Sequence, residues 1–539
     1  MQIPTTPYTD QKPGTSGLRK PVTVFSQANY LENFVQAVFD TAPCIAGGTI
    51  VIGGDGRHHN NVALQTILRM AAAKNVSKVL VGQNGLLSTP ALSHLVRTTN
   101  AKLGLNLTAS HNPGGADGDF GIKVNIESGG PAAKDLTDAI YECSKRLESY
   151  ETTETAHVDL SALRETQLGS MQVIIVDPVT AYADYMESLF DFRAIREWIA
   201  THDICFDAMH AVAGPYAKEV FGNRLNVRSD RLLHTIPLPD FGGGPPDPNP
   251  VYARSLFDLM FSDAAPDFGA ATDGDGDRAI ILGRKIYVGP SDSLAVLAAN
   301  AHLVPGYANG IVGIARSMPT SRAADAVAVR LGIPCFETPT GWKYFGNLLD
   351  AGRITICGEE AAGASSDHLR EKDGLWAILM WLNILAVRRT SVTALLRDHW
   401  KTYGRHYYRR HDYENVAIDR AQAVMAALRS QLRALSGQKL HGETIATADD
   451  FTYLDPVDGR VTARQGLRVT FVSGARFVLR ISGTGTRGAT LRLYLERYVG
   501  SDGRHDMDVD AYLAPIERIA DSLTGLHKII NRETPTIVA

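Results

Sequence analysis

Residues 49–57, TIVIGGDGR, run directly into residues 58–75, HHNNVALQTILRMAAAKN. The first stretch is a short apolar run closing on a glycine turn, and the second carries apolar residues at three and four spacing, as a helix with one buried face does. The same order recurs in DICFDAMHAVAGPY (203–216) and in GIVGIARSMPTSRAADAVAVRLG (310–332). Each such start opens one layered α/β domain.

Each start has a downstream partner in which an apolar strand runs into a chemically loaded loop: LGLNLTASHNPGG (103–115), FGAATDGDGDR (268–278) and ITICGEEAAG (354–363). This order of elements suggests a weak threefold repeat. The rest differs. Helical RAQAVMAALRSQLRAL (420–435) precedes the alternating runs LRVTFV, RFVLRIS and TLRLYLE, which read as an antiparallel sheet with helices, an α+β unit. The expected domains are 1–175, 176–290 and 291–395, all α/β, and 396–539, α+β. A chain of 539 residues exceeds what one core organises, and roughly three to five domains accord with its length.

Apolar residues make up 44% and charged residues 21%, an ordinary globular balance. A formal charge of -4 favours neither nucleic acid nor an anionic membrane, so affinity for anions must come from local clusters. No segment has the roughly 18 consecutive apolar residues of a membrane span, and the N-terminal stretch lacks a secretory apolar run. Five scattered cysteines without a CxxC pair suit reduced thiols. The expectation is a soluble, cytoplasmic protein.

In ATDGDGDR, Asp273, Asp275 and Asp277 alternate with glycines, which lets three carboxylates converge on one hard cation, magnesium or calcium rather than zinc. An EF-hand fails here because the positions that want Gly and Glu hold Arg278 and Arg284. A solvated acidic turn is the bland alternative, and mutual repulsion of the carboxylates counts against it. Magnesium takes phosphate oxygens, so a phosphate partner is expected nearby. Ser110 in TASHNPGG, flanked by His111, fits a nucleophile or phosphate carrier as well as a simple turn. Lys123 in DFGIKVN is placed to return toward that loop, although an isolated lysine usually faces solvent.

RISGTGTRGATLRLYLE offers Ser482, Thr484, Thr486 and main-chain amides to phosphate oxygens, with Arg480 and Arg492 as charged donors. Its G-x-G-x-x-G would need a following helix to bind a dinucleotide, whereas Leu491, Leu493 and Leu495 alternate as in a strand. Glu359 and Glu360 stand at a strand end, where a carboxylate accepts hydrogen bonds from sugar hydroxyls; a solvated acidic loop would look the same. REKDG (370–374) and PTGWKYFGN (339–347) add Arg370, Lys372 and Lys343.

Together these segments resemble the α-D-phosphohexomutase superfamily, most closely its phosphoglucomutase branch. GTSGLRK, GGDGR, TASHNPGG, SGGP, PDPNP, TDGDGDR, ARSMPTS, ETPTGWK, GEE, REKDGLWA, DPVDG and SGTGTRGATLRLY occur in family order over nearly the whole chain. The resemblance implies four domains around a central cleft, three related α/β units and a C-terminal α+β unit. It implies interconversion of glucose 1-phosphate and glucose 6-phosphate through a phosphoserine enzyme and glucose 1,6-bisphosphate, which also serves as activator. By the same resemblance Ser110 is the phosphoserine, and its phosphate with Asp273, Asp275 and Asp277 holds one Mg2+. His111 and Lys123 match positions of proton transfer and charge stabilisation; Arg278 belongs to the metal loop, and Thr15, Ser16 and Arg19 to an N-terminal active-site strip. Thr340, Gly341 and Glu359 match sugar-recognition positions, and Lys372 a substrate contact. Arg480, Ser482, Thr484, Gly485, Thr486 and Arg492 match the distal phosphate loop. The expected partner is a hexose phosphate, with no nucleic acid, no membrane span, and a monomer or weak homo-oligomer.

One departure concerns the sugar loop, which in this branch usually reads GEESFG; here Ala361 and Ala362 replace the Ser and Phe. Loss of a sugar-facing hydroxyl removes a hydrogen bond of about 0.5–1.5 kcal/mol. Two alternatives stay open: a non-catalytic phosphoglucomutase-like scaffold, and a mutase or bisphosphate synthase of altered sugar specificity.

Overall fold

A computed structural model describes residues 1–14, 16–42, 45–482 and 488–539. The chain forms two compact units. The first comprises Met1–Tyr287, Ala301–Gly310 and Gly363–Arg389; the second comprises Val288–Asn300, Ile311–Ala362 and Thr390–Ala539.

In the first unit a seven-stranded sheet runs in the order Leu18–Pro21, Asp119–Ile126, Leu103–Leu107, Thr49–Gly54, Lys78–Leu86, Met171–Val176, Arg164–Leu168. Its four central strands are parallel, and the pairings toward both edges are antiparallel. The opening stretch behaves as read: Thr49–Gly54 is a strand and Asn60–Ala73 a helix. The strand is an almost unbroken apolar run because it is covered on both faces. A second sheet places Ile204–Asp207 parallel to Phe268–Thr272, which pairs antiparallel with Ala279–Gly283. Helix Gly374–Arg388 has no polar stripe because it is buried all round, from Gly374 to Ala386. Loops 108–118 and 273–278 leave the carboxyl ends of parallel strands, where α/β sheets present their chemistry.

In the second unit Cys335–Thr338, Ile314–Ser317 and Ile356–Gly358 lie parallel, with Ile314–Ser317 in the middle. The C-terminal sheet has seven strands in the order Lys439–Leu440, Glu443–Asp450, Leu467–Phe471, Arg476–Ser482, Ala489–Val499, Arg405–Val416, Ile537–Val538. Its pairings are antiparallel. Phe477, Leu479, Leu491, Leu493 and Leu495 face helices Ile418–Arg429 and Val509–Thr524 in one core. The strand predicted after SGTGTRGA is Ala489–Val499, so a strand and not a helix occupies residues 489–499. No single helix among the described residues is long and apolar enough to cross a membrane.

Candidate active site

The loop after Leu103–Leu107 turns at Ser110, whose φ of +54° is left-handed, a conformation a non-glycine residue holds only when its surroundings impose it. The imposing groups come from GGDGR. Arg57 and Asp55 form an ion pair of 2.9 Å with both side chains fully buried. Arg57 Nη2 donates to the Ser110 carbonyl at 2.7 Å and Nη1 to the Asp119 carbonyl at 2.9 Å. Thr108 Oγ1 donates to Asp55 at 2.5 Å and accepts from the Ser110 amide at 2.7 Å. Both peptide groups of the turn are thereby clamped. The Ser110 hydroxyl, itself buried, donates to Asp273 Oδ2 at 2.7 Å and lies 3.3 Å from His111 Nδ1.

Asp273, Asp275 and Asp277 are fully buried, each offering one oxygen within 4.8 Å of the others. The alternating glycines have separate reasons: Gly276 has φ +73°, and a Cβ on Gly274 would stand 2.4 Å from the Ser110 carbonyl oxygen. Asp273 Oδ1 accepts the amides of Asp277 and Arg278, both at 3.1 Å, which folds the loop back on itself. Thr89 Oγ1 donates to Asp275 at 2.6 Å. Lys123, buried rather than solvent-facing, donates to Asp275 at 2.5 Å and Asp277 at 2.9 Å, and Lys372 lies 3.2 Å from Asp277. Arg278 Nε stands 3.9 Å from both Asp273 and Asp277.

Charge divides the triplet. Burial and the two neighbouring carboxylates push Asp273 above the ordinary range. Burial pushes Asp275 the same way, but Lys123 outweighs it and holds the carboxyl well below. Burial opposes the Lys123 ammonium, and Asp275 and Asp277 more than compensate, so the lysine stays protonated. Asp275 Oδ1 and Asp277 Oδ1 are buried and find no hydrogen-bond partner among the described residues. Two such oxygens beside a third carboxylate are an all-oxygen donor set of the kind a hard divalent cation takes, so the residues fit magnesium.

Arg19 pairs across from Gly121, two residues from Lys123, and its Nε and Nη1 find no hydrogen-bond partner among the described residues. Ser16 sits in the Gly14–Gly17 turn, where a Cβ on Gly17 would stand 2.2 Å from the Ile122 carbonyl, so only glycine lets the strip approach strand Asp119–Ile126. Lys372 is placed from behind: the Gly374 amide donates to the Gly276 carbonyl at 3.1 Å, and Asp373 accepts from Tyr182 at 2.6 Å and caps helix Gly374–Arg388. The neighbouring Glu371 accepts from Asn125 Nδ2 at 2.8 Å, and burial pushes its carboxyl up to about 7 against the pull of Lys123.

The second unit holds the other expected residues. Gly341 N donates to Glu359 Oε1 at 3.0 Å, and the buried Thr340 Oγ1 has no hydrogen-bond partner among the described residues. Glu359 and Glu360 are both buried, so this is not a solvated acidic loop. Arg480 and Arg492 oppose each other on adjacent strands, and Asp412 lies opposite Arg492 on the next, its Oδ1 3.3 Å from Arg492 Nε. Like charges placed directly opposite repel unless an anion or carboxylate stands between them. Ser482 is buried at the end of its strand, and Thr15, Thr484, Gly485 and Thr486 lie outside the described residues.

The structure thus brings Ser110, His111, Lys123, Arg278, Lys372 and the three aspartates together in one unit, and Thr340, Gly341 and Glu359 together in the other. Sequence reasoning gave no role to Asp55, Arg57, Thr89, Asn125, Glu371, Thr320 or Asp412. GGDGR and REKDG were visible as motifs, but what those residues touch was not.

Family profiles match in chain order. Phosphoglucomutase/phosphomannomutase α/β/α domain I covers residues 10–151, domain II 180–286 and domain III 290–403, and the phosphoglucomutase-1 C-terminal domain covers 405–536. A phosphoglucomutase of Rhizobium radiobacter is 53% identical over 537 residues, 99% of each chain. A cytoplasmic phosphoglucomutase of Populus tremula is 45% identical over 100% of this chain and 99% of its own. The open-form crystal structure of the Paramecium exocytosis-sensitive phosphoprotein pp63/parafusin, a phosphoglucomutase, superposes with a TM-score of 0.91 at 44% identity, covering 100% of this chain and 99% of that one. With four domain profiles in order and full-length relatives at this identity, the chain belongs to the phosphoglucomutase/phosphomannomutase family, with its four-domain architecture of three α/β/α domains and a distinct C-terminal domain.

Proposed function

We propose that this chain is a phosphoglucomutase, an intramolecular phosphotransferase that interconverts glucose 1-phosphate and glucose 6-phosphate through phosphorylated Ser110 and glucose 1,6-bisphosphate. The observation that carries it is the Ser110 hydroxyl, buried and 2.7 Å from the first carboxylate of a buried acidic triplet. Asp273, Asp275 and Asp277, with the Ser110 phosphate, would hold magnesium, which when bound offsets charge on the phosphoryl oxygens.

In the forward half-reaction the bond between Ser110 Oγ and phosphorus breaks and one between the free sugar hydroxyl and phosphorus forms. The hydroxyl proton passes by way of His111, whose Nδ1 lies 3.3 Å from Ser110 Oγ, to the departing Ser110 oxygen; in the second half-reaction Ser110 gives that proton up as it takes the other phosphoryl group, and the sugar oxygen released there accepts it. Lys123 stays protonated between the aspartates and, with Arg19, Arg278 and Lys372, offsets charge developing on the transferred group. Thr340, Gly341 and Glu359 take the sugar hydroxyls. Arg480, Ser482 and Arg492, with Thr484, Gly485 and Thr486, take the phosphate that is not reacting, and the bisphosphate turns over so that either phosphate occupies that site. Every residue named belongs to one chain, so a monomer or weak homo-oligomer suffices. Domain boundaries near residues 175, 290 and 395 belong to the proposal. So does a cytoplasmic location, for which the Populus relative is support, although plant relatives carry chloroplastic names as well.

The test follows glucose 1-phosphate to glucose 6-phosphate with magnesium and a trace of glucose 1,6-bisphosphate, beside mannose and N-acetylglucosamine phosphates, with mass measurement of the Ser110 peptide. Turnover with one phosphate on that peptide is the expected result. A folded protein that turns over none of these sugars leaves the scaffold reading in its place.

A further inference from the structure

The face of the C-terminal sheet turned away from its helices sets charged residues beside a small apolar cluster of Met318, Phe451, Tyr453, Val478 and Tyr494. Along strand Arg476–Ser482, Phe477 and Leu479 enter the core with the helices, so Arg476, Val478, Arg480 and Ser482 occupy the opposite face. The register sets Arg480, Arg492 and Asp412 in one cross-strand row and Arg476, Glu496 and Tyr408 in another. The first row belongs to the proposed distal phosphate site. The second has no part in that reaction, yet Arg476 is 2% exposed and Glu496 1%.

Arg476 uses its whole fork. Nε donates to Glu496 at 2.5 Å, Nη1 to the Met318 carbonyl at 2.9 Å and Nη2 to the Thr320 carbonyl at 2.5 Å. Tyr408 donates its hydroxyl to the Pro319 carbonyl between them at 2.9 Å, and Glu496 accepts the Arg322 amide at 3.0 Å. The turn so gripped carries the sugar loop. The Glu360 amide donates to Thr320 Oγ1 at 3.0 Å, Ser317 Oγ donates to Glu360 Oε2 at 3.1 Å, and the two hydroxyls meet at 2.7 Å. Glu360 Oε1 is buried with no hydrogen-bond partner among the described residues.

We propose that Arg476, with Tyr408 and Glu496, is a positioning residue that holds the 317–320 turn, and through it the Glu359–Glu360 loop, in register with Arg480 and Arg492. The sugar hydroxyls and the distal phosphate of one hexose phosphate are then read together. This rests on the mutase reading above. A buried ion pair adds little net stability over an apolar replacement, whereas a rigid fork with two arms on main-chain carbonyls and the third on Glu496 fixes geometry. Fixed geometry matters more here because Ala361 and Ala362 bring no hydroxyl, leaving polar recognition by the loop to its carboxylates and main chain.

The test uses Arg476→Lys and Tyr408→Phe in the full-length protein. Lysine cannot reproduce the fork, and KM for glucose 1-phosphate is expected to rise about tenfold, with about threefold for Tyr408→Phe. The preference for glucose over mannose phosphate should narrow, while inhibition by inorganic phosphate, which reads Arg480 and Arg492, stays at the wild-type level. Amide hydrogen exchange across 317–320 and 359–362 should accelerate in both variants. Unchanged KM and exchange in folded variants would overturn the proposal, as would equal weakening of sugar phosphate and inorganic phosphate, the mark of general loosening. Should Arg476→Lys fail to fold, Tyr408→Phe decides by the same readouts. A wild-type protein inactive on every hexose phosphate refutes the mutase reading, and the exchange measurement still decides this one.

Discussion

Arg57→Met removes the cation that clamps the Ser110 turn. Asp55 and Arg57 have no exposed side-chain surface, so the substitution strands a buried carboxylate, a class of change that costs about 3–5 kcal/mol. Against a total stability of roughly 5–15 kcal/mol the protein should still fold at 25 °C, with its urea midpoint clearly lowered. The second effect is local. The charge-assisted bond from Arg57 to the Ser110 carbonyl, worth about 1.5–3 kcal/mol, is of the same size as the roughly 1–3 kcal/mol stored in a left-handed serine. Without it the turn relaxes and the hydroxyl leaves Asp273, and misplacement by about 1 Å costs on the order of 10²-fold in rate. Asp55→Asn/Arg57→Met separates the two effects, because it removes the stranded charge but not the loss of the clamp. Urea unfolding should show the double variant recovering most of the lost stability. Single-turnover phosphorylation of Ser110 by glucose 1,6-bisphosphate should stay about 10²-fold slow in both variants. A double variant that phosphorylates at the wild-type rate would refute the argument that Arg57 holds the nucleophile.

Ser110→Ala should abolish mutase activity while leaving the circular dichroism spectrum and urea midpoint near wild type; wild-type turnover would reject the covalent scheme. Magnesium at a hundredfold excess over its Kd should stabilise the wild type by about 2.7 kcal/mol. Asp273→Asn should lose that response in thermal melts while matching or exceeding wild-type stability without metal, since it relieves repulsion from Asp275 and Asp277. Ala361→Ser should raise glucose 1-phosphate kcat/KM by about two- to tenfold, the equivalent of about 0.5–1.5 kcal/mol, and an unchanged value would mean another group already meets that hydroxyl. Burial, with His406 adding to it, pushes His399 down from 6.5 to about 3, so the folded protein keeps it neutral where the unfolded chain protonates it. Its contribution is complete above pH 6.5 and is lost progressively as pH falls toward about 3, amounting to about 2 kcal/mol by pH 5. Urea midpoints should therefore decline less between pH 7 and 5 in His399→Phe than in wild type.

What could be read in advance was what depends on near neighbours in the chain. Asp273, Asp275 and Asp277 are two residues apart, and glycine spacing alone makes their convergence legible. The alternation of Leu491, Leu493 and Leu495 likewise predicted strand Ala489–Val499. Asp55 and Arg57 could not be assigned the same way, because Arg57 acts on a carbonyl 53 residues away and nothing near it implies that partner. Arg476 reaches Met318 across 158 residues, and Glu371 meets Asn125 across 246. Burial was the second missing fact. Lys123, Glu359 and Lys372 are residue types that usually face water, and only the tertiary structure shows them enclosed.

The distance along the chain between the Ser110 hydroxyl and Asp273, 163 residues, has a consequence for biosynthesis. A ribosome adding about 5–20 residues per second needs roughly ten to thirty seconds to cover that stretch. Throughout that interval the emerging chain holds Ser110 and Arg57 but no acidic triplet, and Lys372 follows later still. In the proposed mechanism Ser110 can therefore take its first phosphate by this route only after translation has passed the lysine, and newly made protein would begin life unprimed.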